Sequence, residues 1–191
     1  MRIIRQSNLD EFADQFWKRQ QTKHDPKDKE ALADIEKNGG QLKWLVNLYP
    51  YKLPHPNNNC VQVVEIETKD EINSFLIHDY LPCDKWMVER GVVPFPYTRR
   101  LGQLAETFIK RSYFHIQWDD TQNKCFRKWR EKSSLEGVIE SSERPLIEMN
   151  WTDEYEIVDG WGRLLPLAAL LQEGFEFYPF ECFVATRERI I

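Results

Sequence analysis

One stretch of the chain constrains its fold more than any other, because a strand pattern, a glycine-containing segment and a helix pattern follow without a gap. A strand pattern with apolar residues at 155, 157 and 158 is followed by a short segment at 159–163, and apolar residues at helical spacing continue over 164–172. A second strand pattern occupies 175–184. A strand, a glycine loop and a helix in this order direct backbone N–H groups and the positive end of the helix dipole outward. With the guanidinium of Arg163 at the same place, the stretch predicts a site for a phosphate or a carboxylate.

Pro166 sets the predicted start of this helix. Proline is tolerated in the first turn of a helix and disrupts its interior. We therefore expect the regular helix to begin near Leu164, with Arg163 at or beside its N-cap. The residues 160–162 are then expected to form an open loop.

The balance of charge limits the classes of partner. The chain has 191 residues, with 31 Asp and Glu against 26 Lys and Arg, and its formal net charge is −5. A protein with this balance is not a general nucleic-acid binder, so binding to DNA would need a local basic face. The histidines lack the spacing of metal ligands, and no metal site is predicted.

The cysteines and the apolar stretches indicate the compartment. Cys60, Cys83, Cys125 and Cys182 form no C-x-x-C pair, and no secretory signal pattern opens the chain. No stretch approaches the roughly 20 apolar residues of a membrane span. We expect a cytoplasmic protein with four free thiols and no association with a membrane.

The order of the remaining patterns predicts an α+β or α/β protein with a small mixed sheet and packed helices. Residues 111–191 are predicted to form a compact module, and residues 1–110 a mostly helical extension of unknown role packed on it. Helices are predicted at 7–17, 25–38, 98–111 and 134–141, strands at 42–48, 60–68, 113–118 and 145–151, and turns at 119–124 and 152–154.

The segment 156–164, Glu-Ile-Val-Asp-Gly-Trp-Gly-Arg-Leu, is followed by two alanines at 168–169 and resembles the signature of the ParB/sulfiredoxin-like superfamily. Two upstream segments are similar to the same family. The segment 134–139 resembles its short L-x-x-S-I helix, and 144–147 resembles its Q-P-I-V-V strand. The resemblance covers about residues 125–185. It implies a small α/β fold with a nucleotide-phosphate site at the Gly–Arg loop.

The resemblance also implies a role for each residue of this loop. Asp159 would orient the loop, Gly160 and Gly162 would let the ligand approach the backbone, and Arg163 would neutralise a phosphate. Trp161 could stack on a base, or it could pack in the core or an interface.

Two more arginines are candidates because related proteins carry a ligand-contacting arginine near this point. Arg127 and Arg130 lie just before the predicted helix at 134–141. The alternative for both is a solvated basic patch.

The function implied is binding of a nucleotide or another phosphorylated ligand at 160–163. Phosphoryl or phosphodiester chemistry with a divalent metal such as Mg²⁺ would be the reaction class. Gly162 stands where a sulfiredoxin-type reaction needs a cysteine, and no catalytic residue is assigned. The alternative is a non-enzymatic protein-interaction or DNA-associated scaffold protein with a vestigial ligand site.

Overall fold

The fold is built on one mixed sheet of six strands in the order β1-β2-β6-β4-β5-β3. The computed structural model describes residues 1–22, 33, 40–48, 53–77, 100–110 and 120–187. The predicted strand at 113–118, Cys83 and all but residue 33 of the predicted helix at 25–38 lie outside them. The strands are β1 (Arg2–Ser7), β2 (Cys60–Ile66), β3 (Leu76–Ile77), β4 (Leu146–Met149), β5 (Tyr155–Asp159) and β6 (Phe180–Thr186).

The pairing of the strands confirms the predicted mixed sheet. β4 and β5 form the expected antiparallel hairpin, and β4 pairs in parallel with β6. β2 lies antiparallel to β6 on its other side and β1 antiparallel to β2, while β3 pairs in parallel with β5. Residues 2–77 thus contribute three strands to the sheet that carries the three C-terminal strands.

Helices cover both faces of this sheet. Neighbouring residues on a strand point to opposite faces, so Val63 and Phe183 belong to one apolar cluster while Val64 and Val184 belong to the other. The helices described are α1 (Leu9–Thr22), α2 (Gln41–Leu48), α3 (Lys69–Ser74), α4 (Leu101–Lys110), α5 (Asp120–Arg130) and α6 (Trp161–Gln172), with a 3₁₀ turn at Ser141–Glu143. α1 and α2 pack on the first face, and α3 to α6 pack on the second.

The first helix shows how local sequence produces these elements. The backbone N–H of Glu11 donates to Asn8 Oδ1 at 2.9 Å, so Asn8 caps α1. Phe12 and Phe16 lie one turn apart and are both buried against β6. The predicted helix at 7–17 is confirmed from Leu9 onward.

Several local predictions are wrong. Residues 41–48 form a helix where a strand was expected, and α5 occupies the segment expected as a turn at 119–124. Residues 134–140 form turns instead of an α-helix, with the N–H of Glu136 donating to Ser134 Oγ at 3.0 Å, and Ser141 begins the 3₁₀ turn. The predicted helix at 98–111 and the predicted strand at 60–68 correspond to α4 and β2.

The described residues include three cysteines and several helices that bear on the predicted thiols and membrane spans. Cys60, Cys125 and Cys182 are free thiols, and Cys182 is fully buried. No helix in this part of the chain is long and apolar enough to cross a membrane.

Candidate functional site

The candidate site lies where β5 ends and α6 begins. Gly160 is the N-cap of α6, with a left-handed φ of 99°, and its carbonyl accepts from the N–H groups of Arg163 and Leu164 at 2.9 and 3.0 Å. Trp161, Gly162 and Arg163 are therefore in the first turn of the helix. The expected open loop at 160–162 is wrong.

Pro166 explains the error because it lies in the second turn of α6. A proline lacks the N–H that would bond to the carbonyl four residues earlier, which here is that of Gly162. The helix loses that one bond and still begins five residues before the proline. Pro166 is buried among the apolar residues that hold α6 on the sheet.

Gly160 is required by its backbone conformation and by its neighbour. A Cβ at this position would lie 2.8 Å from Pro145 Cβ and 3.1 Å from Pro145 Cα. The left-handed φ disfavours any side chain as well. The absence of a side chain at Gly160 therefore allows both the turn between β5 and α6 and the close packing of this turn on Pro145.

Asp159 is held by an arginine that the sequence patterns did not single out. Arg19 Nη2 on α1 donates to Asp159 Oδ2 at 2.7 Å, and the exposed fractions of the two side chains are 12% and 7%. This ion pair joins α1 to the end of β5. Asp159 thus lies directly before the N-cap of α6 and forms an ion pair with Arg19.

The guanidinium of Arg163 carries the most unusual feature of the site. Its Nε and Nη2 atoms are both shielded from solvent, and neither has a hydrogen-bond partner among the described residues. These two nitrogens share one edge of the guanidinium, the edge that binds two oxygens side by side. Buried donors without a partner are rare because each costs about 1–3 kcal/mol. The edge is therefore a fork of two donors with the geometry that binds two oxygens of one carboxylate or phosphate.

The charges around Arg163 show which elements form the site. Burial lowers the pKa of Arg163, and the neighbouring charge of Arg19 lowers it further, while Asp159, Glu143 and Cys125 raise it. Arginine nevertheless stays protonated near neutral pH. The surroundings of the guanidinium are thus α1, the end of β5, the 3₁₀ turn and α5.

Trp161 and the two arginines of α5 differ in their surroundings. Trp161 is half buried and packs against the core on the α6 side of the sheet, which is the packing alternative. Arg127 is exposed, and Arg130 Nε pairs with Glu173 Oε2 at 3.2 Å. Glu173 follows the last turn of α6, about 15 Å along the helix from Arg163. The charges that act on Arg163 are those of Arg19, Asp159, Glu143 and Cys125, and Arg130 pairs instead with Glu173 beyond the other end of α6.

The donor set near Arg163 does not form a metal site. Among the residues that the structure describes, no group of three or more His, Cys, Asp or Glu side chains could hold a metal ion. The carboxylate of Asp159, the nearest candidate ligand by sequence, is bonded to Arg19.

The chain matches no protein-family model, no curated protein and no solved structure.

Proposed function

We propose that the protein binds an anionic ligand, a nucleotide or another phosphorylated small molecule, through Arg163 at the start of α6. One observation carries the proposal: Nε and Nη2 of Arg163 are buried without a hydrogen-bond partner in the described part of the chain. A phosphate or carboxylate presents two oxygens at the spacing of this edge and forms charge-assisted bonds with it. Such a ligand would remove the cost of two unpaired buried donors.

The start of α6 supports a negative ligand in a second way. α6 is 12 residues long, and no side chain caps its N-terminal N–H groups. The first turn of such a helix favours a negative charge by about 0.3–1 kcal/mol at an exposed position. The helix therefore adds to the attraction of Arg163 for an anion.

The buried edge also implies that the site opens when the ligand binds. Nε and Nη2 have no contact with solvent, although Arg163 as a residue is only partly buried. An oxygen at hydrogen-bond distance needs space at that edge. We expect the side chain of Arg163 to change its rotamer, or its neighbours to move, when an anion binds.

The resemblance to ParB/sulfiredoxin-like proteins favours a nucleotide as the ligand, and the pattern of the cysteines favours a cytoplasmic protein. In this proposal Mg²⁺ would accompany the phosphates, and phosphoryl or phosphodiester chemistry is the class of reaction that would follow. No residue is assigned to catalysis.

The second candidate function is that of a non-enzymatic scaffold, which binds other proteins or belongs to a DNA-associated complex. Gly162 favours it, because the position offers no reactive side chain next to Arg163. In that case the buried fork is a remnant of a ligand site, and a protein partner contacts another surface.

Calorimetric titration of ATP, CTP and GTP with Mg²⁺ into wild type, Arg163→Ala and Arg163→Lys tests the first proposal. A charge-assisted contact is worth about 1.5–3 kcal/mol, so we expect Arg163→Ala to weaken binding about ten- to a hundredfold. Arg163→Lys should recover part of the affinity, because lysine keeps the charge but lacks the planar fork.

The control is Arg100→Ala. Arg100 is an exposed arginine that pairs at 2.7 Å with Glu154, just before β5, whereas the candidate site lies at the end of β5, and its loss should leave binding unchanged. Melting curves of every variant show whether the fold is intact. A wild-type protein that binds none of the nucleotides, together with an Arg163→Ala variant that unfolds, would make Arg163 a structural residue and refute the proposal.

A further inference from the structure

Arg19 is held at the same end of α6 as Arg163. Its guanidinium bonds to Asp159 at 2.7 Å and lies over the ring of Phe16, with 5.1 Å from Cζ to the ring centre. Asp159 directly precedes Gly160, whose carbonyl accepts from the backbone N–H of Arg163 at 2.9 Å. The two arginines are therefore brought together from α1 and α6 by the bend between β5 and α6.

Two largely buried guanidinium groups so close together repel each other. The charge of Arg19 is near enough to lower the pKa of Arg163. Asp159 offsets part of this repulsion, but its Oδ2 is bonded to Arg19, and no carboxylate of the described residues bonds to Nε or Nη2 of Arg163. An anion at the fork of Arg163 would therefore be attracted by both arginines.

We propose that Arg19 is a specificity-determining residue that makes the site prefer ligands with several negative charges, such as a diphosphate, over a carboxylate. This inference rests on the anion site proposed for Arg163. The fork of Arg163 can bind two oxygens of either a carboxylate or a phosphate. Arg19 supplies a second positive charge, which attracts a ligand with additional negative charges more strongly than it attracts a carboxylate. Arg19 also anchors Asp159, so its role has to be separated from a purely structural one.

The test uses three anions that differ in charge. Acetate, orthophosphate and pyrophosphate are titrated calorimetrically into the full chain at constant ionic strength. We expect wild type to bind pyrophosphate most tightly and acetate most weakly. Arg19→Gln should weaken pyrophosphate binding about tenfold, which lies between the effect of one charge pair at 4 Å in water and that of the same pair at the effective dielectric of a protein surface, and should change acetate binding by less than about twofold.

Arg144→Gln is the matched control. Arg144 is also a largely buried arginine, with an exposed fraction of 16% against 12% for Arg19. Like Arg19 it bonds to a carboxylate, that of Glu181 at 2.7 Å, and lies over a phenylalanine ring, Phe183 at 5.8 Å. Its replacement removes the same charge but should leave the order and the ratio of the three affinities unchanged.

The outcomes separate this inference from the proposal for Arg163. If Arg163→Ala abolishes binding while Arg19→Gln keeps the wild-type ratio of pyrophosphate to acetate affinity, Arg19 is only structural and the inference fails alone. If wild type binds none of the three anions, both fail.

A second variant covers the case in which Arg19→Gln does not fold. Arg19→Lys keeps the charge and changes the contacts with Asp159 and Phe16. It should melt below wild type and still prefer pyrophosphate. A folded Arg19→Lys that binds pyrophosphate no better than acetate would overturn the inference.

Discussion

Gly160 shows how one missing Cβ decides the geometry at the start of α6. The sequence patterns assigned it to close approach of a ligand, whereas the structure uses it for a left-handed turn against Pro145. The same φ occurs at Gly174, just after α6, where nothing lies within 4 Å of an added Cβ. A comparison of the two glycines therefore separates the free-energy cost of a side chain at a left-handed φ from the cost of its contact with Pro145.

We expect Gly174→Ala to lower the free energy of unfolding by about 1–2 kcal/mol, because alanine disfavours a left-handed φ. Gly160→Ala should cost a further ~1–3 kcal/mol, because its Cβ would also press on the backbone and ring of Pro145. Urea unfolding of the two variants measures the difference. Equal losses for both would show that Pro145 yields without cost and that only the conformation matters.

The residues of the candidate site were predictable in part. Asp159 and Arg163 could be identified because they stand in one short segment between a strand and a helix. Arg19 could not, since it lies 140 residues from Asp159 along the chain and only tertiary packing brings it there. Glu143 and Cys125 were missed for the same reason, as neither belongs to a motif.

At the scale of elements, α2 shows why a short apolar pattern misleads. Leu42, Trp44, Val46 and Leu48 alternate and predicted a strand. In the helix that forms instead, Leu45 is fully buried and Val46 is 47% exposed. Eight residues fit both periods about equally well, and packing against α1 decides between them.

Leu45→Ala and Val46→Ala test the helical assignment directly. Removing the fully buried Leu45 side chain should cost about 2–5 kcal/mol of unfolding free energy. Removing the exposed methyl groups of Val46 should change it by no more than about 0.5 kcal/mol. Chemical denaturation of both variants gives the comparison. In the strand reading Val46 would face the core and Leu45 would not, so a larger loss at Val46 would contradict the helix.

The start of α6 also differs from its predicted position. The rule that proline belongs in the first turn of a helix placed the helix start three residues too late. Here the β5–α6 bend and the bonds to the carbonyl of Gly160 begin the helix at Trp161, and the burial of Pro166 offsets the one missing bond. Tertiary packing overrode a local preference.

At the scale of the whole molecule, the C-terminal hairpin and the last strand were predictable as one sheet because short connections join them. The places of β1 and β2 were not. β2 pairs with β6 from Cys60 opposite Thr186 to Ile66 opposite Phe180, across more than a hundred residues of chain. Such pairing depends on which edges remain open once the C-terminal strands have formed, and no local pattern records it.

This sheet brings the C-terminal end of α1, the end of β5 and the start of α6 together. The buried fork of Arg163 lies at this junction. The proposed function depends on the binding of an anion by that fork. One of its two nitrogens, Nε, carries a single N–H group, so binding can be observed at that group without relying on affinity alone.

The most direct measurement is a ¹H–¹⁵N spectrum of the arginine Nε–H groups during a titration with pyrophosphate. The Arg163 signal is assigned by its loss in Arg163→Lys. We predict that this signal moves downfield and saturates as the Nε–H gains a charged acceptor, while the signal of Arg100 stays in place. An Arg163 signal that remains unmoved at every pyrophosphate concentration would contradict the claim that this fork binds the anion.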